Sequence, residues 1–454
     1  MENKNNVEKN ETKFYGGAFV PWIPIIVMVV GMVFCVATGN AGLLQFAMMG
    51  FFGLIIGFLI AKDKKNFGNI CFAGLQNTML STVIMAFLMA GVLSQLLRMS
   101  GLIDGLIWAV GELNLHTGLI PVICFFACAL ISTSTGTVTA AAPVLIPLAL
   151  ELNCNVGLVC GAIVSGAIFG DNLAPISDTT IGSALTQEAK VSDVVRTRLP
   201  YSLIAGGISA VLFIILGLRT NSEQATSINA DPSNAKALVL LIIPILMVIM
   251  MRFGLDLVST LLICDVIAVI LNLILGCISP STLFSVDGPI TQGLSGMLQI
   301  ILFLFMLFIL LEILNQSGAF DHLLNLFSRI CKTPRSAEFA CMLCTGIGAA
   351  ASGGSATAIM FFGPMVRQIL KKFNIVKTRG SNILDATACG VSGLLPYGTC
   401  CMLAVSFALQ SDGIDPSFSF VDIIPYNFHC YFLLLLFLLS ILTGIGRHYT
   451  TEQD

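Results

Sequence analysis

The stretch SGAIFGDNLAPISDTTIGSA, from Ser165 to Ala184, places two carboxylates, Asp171 and Asp178, inside an apolar part of the chain. No Lys or Arg occurs between residues 99 and 189 to pair with them. Pro175 removes a backbone donor and clashes with the preceding turn, so we expect a helix to break there and let the two aspartates approach. An unpaired carboxylate in an apolar medium is too costly to stay ionised. The stretch therefore predicts a buried site that binds either a proton or a metal cation.

The composition around this stretch is typical of a membrane protein. Of the 454 residues, 56% are hydrophobic and 10% are charged, whereas a soluble domain has about 25% charged residues. Apolar segments long enough to cross a lipid bilayer recur along the chain, and they predict an all-α polytopic protein with about 10 to 13 spans, surrounded by membrane lipid. The first 17 residues lack the apolar core of a cleavable signal, so the first span is expected to remain.

Several functional classes are disfavoured. The formal net charge is −3 and no Lys/Arg tract occurs, so we expect no nucleic acid partner. The fifteen cysteines are scattered in patterns that match neither a zinc site nor a disulfide framework, so we expect no resident cofactor. The sequence has no His-Glu-x-x-His, Gly-x-Ser-x-Gly or Walker-type motif, which argues against an enzyme. A channel is also disfavoured, because interrupted spans are typical of alternating access.

The chain contains an internal repeat. Three pairs of segments match in the same order: LSQLLRMSGLIDGLIW (93–108) with LLEILNQSGAFDHLLN (310–325), STGTVTA (134–140) with SGGSATA (352–358), and GDNLAPIS (170–177) with VSGLLPYG (391–398). The Gly/Ser/Thr-rich segments 132–136 and 351–355 predict helix breaks or re-entrant hairpins, which membranes tolerate only where protein or a water-filled cavity surrounds them. The sequence therefore predicts two halves with interrupted helices.

The distribution of basic residues predicts that the two halves have inverted topology. Lys and Arg concentrate on the cytoplasmic side. The loop at residues 62–65 is basic while its counterpart at 276–289 has no Lys or Arg, and the loop at 151–157 has none while its counterpart at 371–380 is basic. The predicted order is a cytoplasmic N-terminal tail (1–17), repeat 1 (18–219), an extracytoplasmic linker (220–236), repeat 2 (237–446) and a C-terminal tail (447–454).

Oxygen ligands for a cation are abundant near the two aspartates. The candidate residues for ion or proton binding are Asp171, Asp178, Ser177, Thr179, Thr180 and Asn172. The candidate supporting ligands are Ser134, Thr135, Thr137, Ser355, Thr357, Ser392 and Thr399. Because Ser392 and Thr399 stand opposite the two aspartates in the repeat, the second half is expected to offer only neutral ligands. Asp178 is also suited to begin a helix, and capping is its alternative role.

Other ionisable residues have weaker indications. Asp265 lies near the middle of a predicted span, where it either binds a proton or packs against a hydroxyl group. Asp385 lies near a predicted span end and is expected at the membrane interface, and Arg198 is expected in a cytoplasmic loop with Lys190 and Arg196. The four histidines, His116, His322, His429 and His448, fall near loops or span ends, and none is expected to pair with the aspartate motif.

The segment GDNLAPISDTT (170–180) resembles the signature of the NhaC family of sodium/proton antiporters. The STGT block, the Ser100-Gly101 turn and residues 396–400 fit the same pattern, so the resemblance extends over nearly the whole chain. It implies a secondary transporter of the bacterial inner membrane with a cytoplasmic N-terminus. Such a transporter exchanges Na⁺ for H⁺ by alternating access, with Asp171 and Asp178 binding Na⁺ or H⁺ in competition. A homodimer is left open.

The chain departs from the family pattern at two positions. Many relatives carry a basic or imidazole group where it has Asn172, and serine where it has Ala174. The family also includes carriers that resemble malate/lactate exchangers. The alternative hypothesis is therefore a Na⁺- or H⁺-coupled carrier of a small organic acid or an amino acid.

Overall fold

A computed structural model describes residues 14–15, 17, 19–38, 42–112, 115–131, 133–175, 177–220, 232–319, 331–411 and 413–450. Within these ranges the chain is helical, and β-structure is limited to two isolated bridges, Phe14 with Ala61 and Ile375 with Tyr449. Most of the predicted N-terminal tail and linker, together with Ser132, His322 and the last four residues, lie outside the described residues.

The first half of the described chain contains ten α-helices. They are α1 (Ile23–Ala37), α2 (Leu43–Ile60), α3 (Phe67–Leu75), α4 (Thr78–Met99), α5 (Leu102–Glu112), α6 (Ile120–Ala129), α7 (Ser134–Glu151), α8 (Val156–Leu173), α9 (Asp178–Gln187) and α10 (Val191–Thr220). Short 3₁₀ helices, Val20–Trp22 and Thr117–Leu119, precede α1 and α6.

The second half continues with eleven more α-helices among the described residues. They are α11 (Ile242–Arg252), α12 (Leu257–Ile274), α13 (Pro280–Leu283), α14 (Pro289–Gly296), α15 (Leu298–Gln316), α16 (Pro334–Ser352), α17 (Ser355–Lys371), α18 (Lys377–Ser392), α19 (Thr399–Leu409), α20 (Phe420–Ile423) and α21 (Phe428–Thr443). A 3₁₀ segment (Pro232–Leu241) precedes α11, and another (Ile424–Tyr426) lies between α20 and α21.

The helices confirm an all-α membrane protein with interrupted spans. Among the described residues, six helices are long and apolar enough to cross a membrane, namely Leu43–Ile60, Leu80–Met99, Val156–Leu173, Val191–Thr220, Leu257–Ile274 and Pro289–Gln316. The segments Phe420–Tyr426 and Phe428–Thr443 meet at a bend of 52° and form a seventh if they are one broken span. Further apolar helices among the described residues have 10–17 residues, among them Val20–Cys35, Thr117–Ala129 and Thr399–Leu409.

The local geometry of the two halves repeats. Gly101 and Gly318 both have positive φ, +79° and +69°. Before each glycine stands a serine whose hydroxyl bonds the end of the preceding helix: Ser100 Oγ donates to the Leu97 carbonyl at 2.6 Å, and Ser317 Oγ donates to the Leu314 carbonyl at 2.9 Å. The same turn therefore ends α4 and α15.

The correspondence between the two halves continues further along the sequence. Asn153 and Asn374 follow α7 and α17 with φ of +51° and +54°, which is uncommon for a residue other than glycine. α7 and α17 begin at Ser134 and Ser355, one residue after an extended residue in each case. Ser134 therefore corresponds to Ser355, and the predicted match of 134–140 with 352–358 is wrong by three positions.

The break predicted near Pro175 lies between α8 and α9. α8 ends at Leu173, Ala174 is extended (ψ 125°), and α9 begins at Asp178. Two glycines let the backbone of α6 lie against α8: a Cβ atom at Gly166 would be 2.2 Å from the Phe125 carbonyl oxygen, and one at Gly170 would be 2.4 Å from that of Ala129. Only glycine permits such close helix contacts.

The described helices form two compact units. One unit contains the chain up to Ile84 together with Gln299–Arg329, and the other contains Met85–Leu298 and Ile330–Asp454. All the candidate site residues belong to the second unit.

Candidate functional site

Asp171 lies in the last turn of α8 and is fully buried. The break brings two hydroxyl groups to its carboxylate: Ser177 Oγ donates to Oδ1 at 2.7 Å and Thr179 Oγ1 donates to Oδ2 at 3.0 Å. The two hydroxyl oxygens are 2.9 Å from each other. The structure therefore brings together three of the predicted residues in one cluster of oxygen atoms.

Asp178, the first residue of α9, is exposed. Its Oδ1 accepts a hydrogen bond of 3.0 Å from the Thr179 backbone N–H. Ile181 and Leu185, which follow at helical spacing, share its exposed face. The prediction that both aspartates are buried is wrong for Asp178, because the turn that directs Ser177 and Thr179 toward Asp171 directs Asp178 away. Its carboxylate is still close enough to repel the charge of Asp171.

Arg198 is fully buried on α10, so its predicted place in a cytoplasmic loop is wrong. Its Nε donates to the Asn172 carbonyl at 2.9 Å, Nη2 donates to Thr180 Oγ1 at 2.6 Å, and Nη1 forms a salt bridge with Asp385 Oδ2. α10 is 30 residues long and continues from the basic segment into the interior. Asn172 and Thr180, both predicted ligands, therefore bond Arg198 in this structure.

Asp385 is fully buried on α18, so its predicted interfacial position is wrong. Cys389, one turn further along, lies with its Sγ 3.8 Å from Asp171 Oδ2 and 3.9 Å from Asp385 Oδ1. The two carboxylates therefore belong to one cluster. The second half therefore contributes an acidic residue to the cluster, which the sequence analysis did not predict, and this residue is paired with Arg198.

The Asp171 carboxylate is not the partner of the arginine. Within the described ranges no salt bridge to a Lys or Arg includes Asp171, while Arg198 is paired with Asp385. Asp171, Asp385 and Arg198 leave the enclosed cluster with one negative charge when all three are ionised. One monovalent cation or one proton neutralises it.

Comparison with known proteins gives the family. A family model described as the Na⁺/H⁺ antiporter family matches residues 12–218 and again residues 219–445. The chain belongs to the Na⁺/H⁺ antiporter family. This membership confirms the NhaC resemblance and makes the chain a multi-pass membrane transporter, not an enzyme. The two matches also agree with the two halves found in the sequence and in the helix geometry.

The individual relatives share 12–30% sequence identity with this chain over the matched residues. The Na(+)/H(+) antiporter NhaC of Bacillus subtilis (strain 168) is 25% identical over 353 residues, 71% of this chain and 75% of that protein. The Malate-2H(+)/Na(+)-lactate antiporter of the same organism is 30% identical over 171 residues, 37% of this chain, and the match spans 36% of that protein. The solved YdaH transporter of Alcanivorax borkumensis is similar with a TM-score of 0.42 and 12% identity, covering 93% of this chain and 99% of that one.

A histidine lies beside the antiporter's aspartate cluster. His429 on α21 is fully buried, and its Nε2 lies 3.4 Å from Asn172 Nδ2. Its ring packs against Phe169, with the two ring centroids 5.1 Å apart. The prediction that no histidine approaches the aspartate motif is therefore wrong. The sequence signal was weak, because residues 420–427, which interrupt the last span, made His429 look like a span-end residue.

The predicted supporting ligands lie at helix ends. Ser134 and Thr135 open α7, with their hydroxyls beside the Cys400 thiol near the start of α19. Thr399 is the first residue of α19, and Ser392 Oγ donates to the Cys389 carbonyl at 3.1 Å. The remaining three are Thr137, which is buried in α7, and Ser355 and Thr357 in the first turn of α17.

The antiporter's cluster has few of the side chains that hold a resident metal. Among the described residues, no group of three or more His, Cys, Asp and Glu side chains is arranged to hold a metal ion. The oxygen atoms around Asp171 come instead from one carboxylate and two hydroxyls, a set suited to a weakly held monovalent ion.

Proposed function

We propose that this protein exchanges Na⁺ for H⁺ across the bacterial inner membrane by alternating access, with Asp171 as the group that binds either ion. The observation that carries the proposal is the position of Asp171: fully buried at a helix break, bonded to two hydroxyl groups, and outside the Arg198 ion pair. An intramembrane carboxylate is costly to maintain and is usually functional.

The charge of the cluster supports antiport. With Asp385 neutralised by Arg198, Asp171 retains one negative charge, which either H⁺ or Na⁺ can cancel. The two ions cannot occupy the carboxylate together, so binding of one releases the other. A carrier whose loaded cluster is neutral crosses the membrane more easily than one with a buried net charge, since burying a charge is costly.

The hydroxyls have different roles in the two states. In this structure Ser177 Oγ and Thr179 Oγ1 donate to Asp171. When Na⁺ is bound, the same oxygens can turn their lone pairs to the ion. Asp178, which is exposed, passes the cation or proton between solvent and Asp171, and the hydroxyls at the starts of α7, α17 and α19 complete the ion's ligands as the carrier changes state.

A second candidate function is the exchange of a small organic acid. Its support is the similarity to the Malate-2H(+)/Na(+)-lactate antiporter over 37% of this chain. Against it, the positive charge of Arg198 is already paired with Asp385, and Arg198 also donates to Asn172 and Thr180, so this guanidinium has no uncompensated charge to attract an organic carboxylate. Na⁺ alone is therefore the better supported substrate.

Purified protein in liposomes that contain a pH-sensitive dye tests both candidates. We expect Na⁺ to drive proton movement, and K⁺, malate, lactate and amino acids not to do so. Asp171→Asn should abolish the Na⁺ response while the protein stays inserted, and Asp178→Asn should slow it. Asp193→Asn, which changes an exposed aspartate on α10, is the control. Normal exchange by Asp171→Asn would contradict the site, and a response to malate or lactate would favour the second candidate.

A further inference from the structure

Asp265 is a second carboxylate within a membrane span, outside the cluster around Asp171. It lies on α12 (Leu257–Ile274), about 12 Å from either end at 1.5 Å per residue. It is buried, with 9% of its surface exposed. Its Oδ1 has no hydrogen-bond partner among the described residues.

The two faces of α12 differ sharply. Leu262, Val266, Ile270 and Leu273 form the exposed apolar face. The opposite face is buried and contains Asp265. Its neighbours there contact α11 and α4: Cys264 Sγ lies 3.9 Å from the Ile243 carbonyl oxygen, and Asn272 Nδ2 donates to the Leu96 carbonyl at 3.4 Å. Asp265 therefore faces protein, not lipid.

In the part of the chain that the structure describes, few charged residues occur on α12 and on the helices that its buried face contacts. Cys264 is the titratable neighbour on its own helix. α11 has one charged residue in its sequence, Arg252 at its last position. On α4 the charged residue is Arg98, which bonds the Gln410 carbonyl. None of the salt bridges in the described ranges includes Asp265.

The fold itself does not require this carboxylate. α2 occupies the same place in the order of the first half and is also 18 residues long. Its sequence, LLQFAMMGFFGLIIGFLI, contains no acidic residue. A packed span can therefore be built in this position without a buried acid, and removal of the charge from α12 should not disturb its packing.

We infer that Asp265 is a second proton-carrying site, so that each transport cycle moves one more proton than Asp171 alone would carry. A proton suits the site better than Na⁺ does, because a bound cation needs several oxygen ligands. Asp171 has two hydroxyls beside its carboxylate, whereas Asp265 Oδ1 has no hydrogen-bond partner among the described residues. An unpaired acid at this depth holds a proton at neutral pH, since its charged form is costly there. The proton is released when this face of α12 reaches water. Asp265 then returns as a carboxylate while Na⁺ is bound at Asp171, so a cycle that carries the second proton also moves one net charge across the membrane.

The inference rests on the proposed Na⁺/H⁺ exchange, and two measurements in reconstituted protein test it separately. First, the H⁺/Na⁺ ratio is obtained, with the membrane potential clamped at zero, from the Na⁺ gradient that just balances a set pH gradient. Asp265→Asn should keep exchanging Na⁺ with a ratio lower by one, whereas Asp256→Asn, an exposed acid at the start of the same helix, should keep the wild-type ratio. An unchanged ratio in Asp265→Asn would overturn the inference.

Second, infrared spectroscopy detects a protonated carboxyl group by its carbonyl stretch, whether or not the variant transports. At neutral pH this band should be weaker in Asp265→Asn than in the wild type and unchanged in Asp256→Asn. If the carbonyl band of Asp265→Asn is as strong as that of the wild type, Asp265 is not a proton site. If Asp171→Asn still exchanges Na⁺ for H⁺, the proposed function of Asp171 fails, while the infrared comparison still decides the role of Asp265.

Discussion

Replacement of Arg198 by Met would remove the positive partner of Asp385 and leave a buried carboxylate uncompensated. Both side chains are fully buried, and removal of one partner of such a pair costs about 3–5 kcal/mol. The Asn172 carbonyl and the Thr180 hydroxyl would each lose a donor as well. At about 1.4 kcal/mol per factor of ten, the equilibrium constant for folding should fall by roughly two to four powers of ten. We therefore expect Arg198→Met to be much less stable than the wild type.

A compensating change should reverse most of this loss. Arg198→Met combined with Asp385→Leu removes both charges, and apolar replacement of a whole buried pair is often neutral or stabilising. The double variant also keeps the cluster's single negative charge on Asp171, so it should retain Na⁺-dependent proton movement. In Asp385→Leu alone, the positive charge of Arg198 would cancel the negative charge of Asp171, so the cluster would no longer need a cation and the Na⁺ response should be lost.

The assay is thermal unfolding in detergent, followed by loss of the monodisperse peak in size-exclusion chromatography, with liposome exchange measured for each variant that folds. Arg196→Met is the matched control, because Arg196 is exposed two residues earlier on the same helix. The reasoning is refuted if Arg198→Met is as stable as Arg196→Met. It is also refuted if the double variant is no more stable than Arg198→Met.

Two further predictions concern topology and helix capping. Glu151 and Lys372 are exposed and occupy equivalent positions in the repeat. Cysteines introduced at these two positions should react with an impermeant thiol reagent from opposite sides of the membrane. Labelling of both from the same side would contradict inverted topology. Asp256 caps α12, and hydrogen bonds from Ser259 hold its pKa below the usual value. The stability that the ionised carboxylate adds is therefore present above about pH 3.9 and is lost as the pH falls through its lower folded pKa. The loss of thermal stability in Asp256→Ala relative to the wild type should accordingly shrink on acidification. A loss that stays constant with pH would show that the negative charge of Asp256 does not stabilise the helix.

Much of the fold could be predicted because it depends on local chemistry. The apolar segments predicted membrane helices, Pro175 predicted the break between α8 and α9, and the repeated Ser-Gly pair predicted equivalent turns at Gly101 and Gly318. Ser177 and Thr179 were identified because the residues after a break must lie near the residues before it. Each of these signals acts over a few residues of sequence.

The residues that were misplaced depend on long-range packing. Arg198 belongs to a segment that looks like a loop when basic residues are counted, but α10 carries it into the interior. Asp385 gave no signal in the repeat, because Val164 occupies its place in the first half. An available sign was that each residue is the last charge before a long uncharged stretch, 199–218 after Arg198 and 386–411 after Asp385, and that the two charges have opposite sign. In an apolar interior, the two charges of such a pair neutralise each other only if the side chains are in contact.

The bonds of Arg198 also limit how the carrier can move. From α10, Arg198 holds the end of α8 through Asn172, the first turn of α9 through Thr180, and α18 through Asp385. Separation of α18 from the other three helices would break a buried ion pair in every cycle, at a cost of about 3–5 kcal/mol. We therefore expect α8, α9, α10 and α18 to move as one block. The Asp171 site then keeps its ligands while other parts of the protein open and close the path to water.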